Sequence, residues 1–409
     1  MLDVLIVGGG ASGLALAAML KTKSKNISVA VAEGLDRVGK KLAVTGNGRC
    51  NITNLQLSRK NFHSGQTDFA FKIISDFDFN KTRDFFSNIG LEFANENNKV
   101  YPMSFQASSV VDIFRFNLTE MGVSLITGCK VQDIKTNGNY FTAICENIPD
   151  ITAKCVVIAT GGLAGGSKLG SNGDGYRFLK SFGHKIKEQS PVIVQVKTDN
   201  TLTRQLKGIK ITAEVSVLKN NKTITEEFGE VLFCDYGLSG PPVLQVSRYC
   251  KNGVYISLDL LPHCGIDELK NILLKRKTIL KSEPLSEFFA GVLHKKLGQI
   301  IIKNCGLNLN LEISALKKSD IDNIVKAVKN FSFKVSGNTG FVNAQSTSGG
   351  ADLAEFNKNL MSEKQKGLFA TGEVLDVDGD CGGYNLQWAW SSANAVCNGI
   401  LDLITVKNK

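Results

Sequence analysis

Gly8, Gly10 and Gly13 follow the short apolar run Val4-Leu5-Ile6-Val7 in the spacing Gly-x-Gly-x-x-Gly, with Ala11 and Ser12 before the last glycine. Each glycine has a physical job. The first permits a tight turn out of a strand, the second lets backbone approach a pyrophosphate, and the third lets a helix pack closely on the sheet. An apolar, Ala-rich stretch follows at once and reads as that helix. The free amides at its start, with the helix dipole, favour negative phosphates. A second strand-like run, Ser28-Val29-Ala30-Val31-Ala32, ends at Glu33, twenty residues after Gly13. An acid there accepts hydrogen bonds from a ribose diol. Strand, glycines, helix, strand and acid in this order predict a dinucleotide site without saying which dinucleotide.

A second chemical stretch is Thr45-Gly46-Asn47-Gly48-Arg49-Cys50-Asn51-Ile52-Thr53-Asn54, preceded by Lys40 and Lys41. It is too polar and glycine-rich to build a core. Glycines allow close approach to a planar ring, and Asn and Thr supply directed hydrogen bonds. Cys50 beside Arg49 is a candidate acid or nucleophile, because a nearby cation lowers a thiol pKa. The alternative is a small residue packing on the ring. Tyr236 and Tyr384 are weaker donors by the same logic. His63, His184, His263 and His294 lie outside the motif segments and are expected to be structural or exposed. The ten cysteines show no C-x-x-C or zinc-like spacing. This argues against disulfide-reductase chemistry and a metal site, and for reduced thiols in a cytoplasmic protein.

The elements that must position these residues fall in two groups. Helical spacing covers residues 68–90 and 108–121, strand-like runs lie near Leu125, Val131 and Phe141, and a helix follows at Tyr176–Phe182. Cys155-Val156-Val157-Ile158-Ala159-Thr160-Gly161-Gly162 repeats the opening logic of a buried strand ending in small residues. Leu368 to Gly379, then Gly382-Gly383-Tyr384-Asn385-Leu386-Gln387, repeats it again before a helix. Between these, residues 192–262 alternate as in a β-barrel or sandwich, and residues 264–329 are helical. The expected fold is α/β: a Rossmann-like nucleotide domain (1–189 and 348–409), split by a β-barrel (190–263 and 330–347) and a helical domain (264–329). No second complete glycine turn occurs, so a dedicated NAD(P)H domain is not expected.

The net charge is +10, and residues 264–329 carry twelve Lys/Arg against seven Asp/Glu. Half of the excess charge thus sits in one insertion, either a solvated helical face or a surface for a polyanion such as RNA. The glycine turn and the early Lys21 argue against a membrane span at the start of the chain.

The motifs Thr45–Asn51, Ala159–Gly162, Tyr236–Pro241, Gly349-Gly350, Gly372-Glu373 with Asp376-Val377-Asp378-Gly379, and Gly383-Tyr384-Asn385 together resemble the BaiN/RdsA flavoproteins, a group that includes aminoacetone oxidase. The resemblance spans essentially the whole chain. Cys381 stands where Thr is also expected in relatives. The resemblance implies FAD as resident dinucleotide, in a domain of the two-dinucleotide-binding-domain flavoprotein type. It implies that Gly8, Gly10, Ala11, Ser12 and Gly13 hold the pyrophosphate, Glu33 the adenosine ribose, and Val131 the adenine through backbone. Lys40 and Lys41 would neighbour phosphate or ribityl, and Gly46, Asn47, Gly48, Arg49, Cys50 and Asn51 the isoalloxazine. Thr160, Gly161, Gly372, Glu373 and Asp378 would complete the cradle. Gly383, Tyr384, Asn385 and Leu386 would point helix-start amides at the flavin pyrimidine edge. Three activities follow from it. One is NAD(P)H-fuelled reduction of an activated C=C bond, as in uridine to dihydrouridine in 23S rRNA or in a bile-acid-like enone, with NAD(P)H visiting transiently. Another is oxidation of a small amine with release of peroxide. The last is a flavin scaffold without turnover. Oligomeric state is not legible.

Overall fold

In the computed structural model, which describes residues 1–199 and 201–406, the strand Leu2–Val7 lies inside a parallel sheet. The order is Ser124–Thr127, Val29–Glu33, Leu2–Val7, Ile151–Ile158, Leu368–Ala370, and every neighbouring pair is parallel. The start of Ile151–Ile158 pairs instead with Phe141–Cys145, antiparallel, and that strand pairs with Val131–Thr136. Val4, Leu5, Ile6, Val156, Val157 and Ile158 are fully buried. Strands covered on both faces need side chains that are apolar throughout, which is why these runs do not alternate. The first helix, Ala11–Lys23, is buried from Ser12 to Leu20 and packs against the C-terminal helix, Tyr384–Val406. Its lack of a polar face reflects cover on both sides.

The stretch 68–90 is two helices, Thr67–Asp76 and Phe79–Asn88, rather than one. Asp78 caps the second, accepting from the Lys81 amide at 3.1 Å. A short side-chain acceptor at this position satisfies an otherwise orphaned helix-start donor.

Two compact units result, Met1–Val192 with Phe341–Lys409, and Ile193–Gly340. The second is a closed six-stranded barrel in the order Val196–Thr198, Gly237–Ser239, Lys222–Phe233, Lys210–Lys219, Tyr255–Asp259, Phe331–Asn338. Helices Ile266–Ile279, Lys295–Asn304 and Lys318–Lys329 connect its last two strands in the chain. The sequence pattern separates barrel from helices. In the structure Val217, Phe233, Ile256 and Phe331 of the barrel share one buried cluster with Leu269, Leu273, Ile301 and Ile324 of the helices. Periodicity identifies the element type but not which apolar faces meet. Among the described residues no helix is long and apolar enough to cross a membrane.

A Cβ on Gly13 would fall inside contact distance of the Gly8 carbonyl oxygen and 3.2 Å from the Ile6 side chain. Gly13→Ala is expected to lower unfolding free energy by about 1–3 kcal/mol, the usual size of an overpacking penalty, read by urea denaturation. An unchanged midpoint would show that the turn does not need this close approach.

Candidate functional site

Three motifs far apart in sequence meet at the ends of the parallel strands. The opening turn packs on the second: a Cβ on Gly8 would strike the Ala159 carbonyl, with Thr160 Cα 3.0 Å away. The third joins them through the Thr371 amide, which donates to the Ile158 carbonyl at 3.0 Å. Gly372 (φ +76) leaves only 2.6 Å between a would-be Cβ and Ser12 Oγ. The first helix starts at Ala11, so the amides of its first turn have no acceptor within the helix. Glu33 closes this corner. Its Oε2 accepts from the Gly9 amide at 2.8 Å and its Oε1 from the Leu35 amide at 2.9 Å. The Cys129 amide donates to the Glu33 carbonyl at 2.9 Å, which brings the buried Val131 near the same end.

The loop at 45–50 is a run of left-handed backbone: Gly46 (φ +57), Asn47 (φ +56), Gly48 (φ +82) and, after Arg49, Cys50 (φ +55). Glycine and asparagine tolerate this region better than other residues, which accounts for the composition of the loop. The loop then meets the start of the C-terminal helix. A Cβ on Gly383 would lie 2.5 Å from the Thr53 carbonyl oxygen and 2.8 Å from Asn51 Oδ1. Asn54 Nδ2 donates to the Gly382 carbonyl at 2.9 Å. Two indoles fix this junction: Trp390 Nε1 donates to the Ile52 carbonyl at 2.9 Å, and Trp388 Nε1 to the Gly372 carbonyl at 3.0 Å.

Several residues differ from the sequence expectation. Arg49 does not activate Cys50. Its guanidinium pairs with Glu96 and lies over the Tyr101 and Phe105 rings, while Cys50 is fully buried. Burial pushes the Cys50 thiol up to about 12, so it is neither an acid nor a nucleophile near neutral pH. Lys40 pairs with Asp36, four residues earlier. Lys41 faces inward and meets Glu373 Oε2 at 2.6 Å. The other Glu373 oxygen accepts from the Thr347 amide at 2.7 Å. The Asn385 side chain is a brace: its Oδ1 accepts from the Gly379 amide and Ser346 Oγ, and its Nδ2 donates to the Gly379 carbonyl. Burial raises the Tyr384 phenol, whose ring meets Phe62 edge-on at 5.7 Å. Asp378 is buried on the short strand Asp378–Gly379, and Leu386 follows in the helix's first turn.

Sequence reasoning set His63 aside. Strand Phe62–His63 pairs antiparallel with Asp378–Gly379, and His63 Nε2 lies 2.8 Å from Asp380 Oδ1. Asn61 Nδ2 donates to the other Asp380 oxygen at 3.1 Å. This histidine–carboxylate pair therefore sits on the loop leading to Gly383. A histidine in a two-residue strand carries no motif, so no sequence signal pointed to it.

The residues fit a dinucleotide bearing a flat polar ring. Asn51 Oδ1 and Thr160 Oγ1 are buried without a hydrogen-bond partner in the protein. Nothing lies within 4 Å of a Cβ built on Gly10 or Gly48, so both turns face open space. Buried polar atoms without partners are rare in a finished core, and Asn51 Oδ1, beside the Gly383 turn, is free to bond a ligand. The fold and this cradle define an FAD-dependent oxidoreductase. The chain belongs to the family described as HI0933-like protein Rossmann domain, whose model matches residues 2–399. It is 32% identical over 394 residues to a 3-dehydro-bile acid delta(4,6)-reductase from Clostridium scindens, covering 95% of this chain and 96% of that protein. It is 29% identical to a ribosomal RNA dihydrouridine synthase from Haemophilus influenzae, over 96% of each chain, and 28% identical to one from Escherichia coli, over 99% of each. Among solved structures, a quinol–fumarate reductase with menaquinol molecules shares the fold at a TM-score of 0.50 and 14% identity, over 98% of this chain and 71% of that one. The resemblance to the BaiN/RdsA flavoproteins thus holds along the chain.

Because the folded Cys50 pKa is raised, its protonated form stabilises the fold. That contribution is complete below the unfolded thiol value, about 8.5, and is lost as pH rises toward about 12. Native protein at about pH 8 is expected to resist iodoacetamide at Cys50, read by peptide mass spectrometry. Rapid alkylation there would restore the thiol as a chemical candidate.

Proposed function

We propose that this protein reduces a carbon–carbon double bond conjugated to a carbonyl, with NAD(P)H as transient electron donor. One observation carries the reading. The named relatives matching at least 95% of the chain are a bile-acid delta(4,6)-reductase and dihydrouridine synthases, names that describe hydrogen added across such a bond.

Bound FAD would supply hydride transfer through its N5. The chain's own groups do the rest. The amides of Ala11, Ser12 and Gly13 hold the pyrophosphate, and Glu33 accepts from the adenosine ribose. Lys41 and Glu373 neighbour the ribityl chain. Asn51 Oδ1 takes a hydrogen bond at the ring, and the helix start at Gly383–Leu386 favours negative charge at the pyrimidine edge. Saturating a C=C bond also needs a proton. Cys50 holds its proton too tightly, and Tyr384 is buried with its phenol pushed up. His63 is a quarter exposed, and its Nε2 is held on Asp380 Oδ1, which fixes the orientation of the ring. His63 is the proton donor in this reading, and Asp380 positions it.

Within this class, a uracil ring in ribosomal RNA is the leading substrate. Lys281, Lys296, Lys303, Lys317, Lys318 and Lys326 are exposed on the helical segment, whereas Lys270, Lys295 and Lys329 are taken up by Asp322, Glu287 and Asp259. Exposed lysines suit phosphates and make binding salt-sensitive. The second reading, a small cyclic enone, is favoured by the higher identity to the bile-acid enzyme.

Anaerobic mixing of the yellow protein with NADH or NADPH is expected to bleach flavin absorbance near about 450 nm. Colour should then return with 23S rRNA or a 3-oxo-Δ4 steroid. Bleaching by a small amine, with peroxide on readmitting air and no response to NAD(P)H, would overturn the reductase reading in favour of an amine oxidase. His63→Gln should leave bleaching by NAD(P)H intact and slow reoxidation by substrate about 100-fold, the lower range for a lost general acid. Equal reoxidation rates would remove His63 from the proton path.

A further inference from the structure

Arg49 leaves the left-handed turn and ends across two aromatic rings that also touch each other. Its guanidinium carbon lies 4.4 Å from the Tyr101 ring centroid and 4.6 Å from that of Phe105. The rings are 5.5 Å apart and tilted by 42°. Glu96 pairs with the same guanidinium. Glu96 and Tyr101 come from a hairpin, Phe93–Glu96 with Lys99–Pro102, and Thr53–Asn54 is the third strand of that small sheet. The aromatic pair and the flavin-facing loop are therefore one rigid piece.

Phe105 is placed against two physical preferences. Its φ is +51, a left-handed conformation that a bulky residue adopts as an outlier. Its ring is also held toward water, with the residue 36% exposed, beside Met103 at 60%. The Phe105 amide donates to the Pro102 carbonyl at 2.8 Å, so a tight turn holds it there. Strain of this kind concentrates where a ligand is held. Since Glu96 balances its charge, Arg49 does not suit a phosphate. It presents a fixed guanidinium plane, which stacks on flat rings.

We infer that Phe105 and the half-exposed Arg49 guanidinium, backed by the buried Tyr101 ring, form a stacking face for the flat conjugated ring of the substrate. This rests on the reductase reading above. A ring whose C=C bond is conjugated to a carbonyl is planar at the reacting atoms, whether it is a uracil or the enone ring of a steroid. Aromatic and guanidinium faces recognise both without reading their edges. Met103 adds a polarisable apolar border.

The test uses the FAD-loaded full chain with Phe105→Asn. Asparagine accepts a positive φ, so the variant should fold at least as stably as the parent while lacking the ring. Two readouts are taken with uridine 5′-monophosphate and with a 3-oxo-Δ4 steroid as separate probes. One is the perturbation of the oxidised flavin spectrum on titration without electron donor. The other is reoxidation of NAD(P)H-bleached enzyme. With the probe that binds, Phe105→Asn is expected to weaken the spectral Kd and raise KM about tenfold, the size of one lost stacking contact, with kcat and bleaching by NAD(P)H unchanged. Phe105→Trp should restore binding. The arm that responds identifies the ring source. If the parent is reoxidised by a probe and Phe105→Asn matches it in Kd and KM, the stacking face is overturned and the reductase reading survives. If neither probe binds or reoxidises the parent, both fall together.

Discussion

Two indole N–H groups on one helix hold two distant loops of this protein in register. Trp388 and Trp390 stand two residues apart on the C-terminal helix, fully buried, and reach carbonyls in two different loops. One is Gly372, beside the first helix; the other is Ile52, just past the left-handed turn. The Gly372 carbonyl also accepts from the Leu375 amide at 3.2 Å, so the Trp390 bond to Ile52 is the costlier one to lose, about 1–3 kcal/mol if that carbonyl is left unsatisfied. Gln387, on the same helix, does similar work. Its Oε1 accepts from Thr53 Oγ1 at 2.5 Å, and its Nε2 donates to the Phe77 carbonyl at 2.7 Å. The body of the helix therefore braces loops that are far apart in sequence.

Charge in the cradle is matched with equal care. Glu33 is held by two backbone amides, and Glu373 by Lys41 and the Thr347 amide. Asp376 is paired with Lys187, which also meets Asp352. Those partners hold the Asp352 carboxyl below its usual range and raise the Lys187 ammonium. Balanced in this way, the acids act as acceptors and braces rather than as repulsive charges.

The second unit shows a different economy. Its barrel strands bury Phe233, Phe331 and Phe333 against one another, and three helices add to the same core from outside the strands. The lysines that give this segment its excess charge lie on the solvent side of those helices, as amphipathic helices packed on a core require.

The Rossmann-type fold was legible in the sequence. Strand, Gly8-x-Gly10-x-x-Gly13, helix and Glu33 are local signals, because backbone conformation and close approach dictate residue type one position at a time. The density of Gly and Asn at 45–51 is a signal of the same kind, fulfilled as positive φ angles. Side-chain direction was not legible. Arg49 adjoins Cys50 in the chain, yet Glu96 and two rings draw it away and leave the thiol buried. His63 and Asp380 lie 317 residues apart and meet only because two short strands pair. The sequence separated barrel from helices by period, and packing joined their cores. Local conformation is written in residue type, but electrostatic environment is set by whichever distant groups the fold brings within a few ångströms.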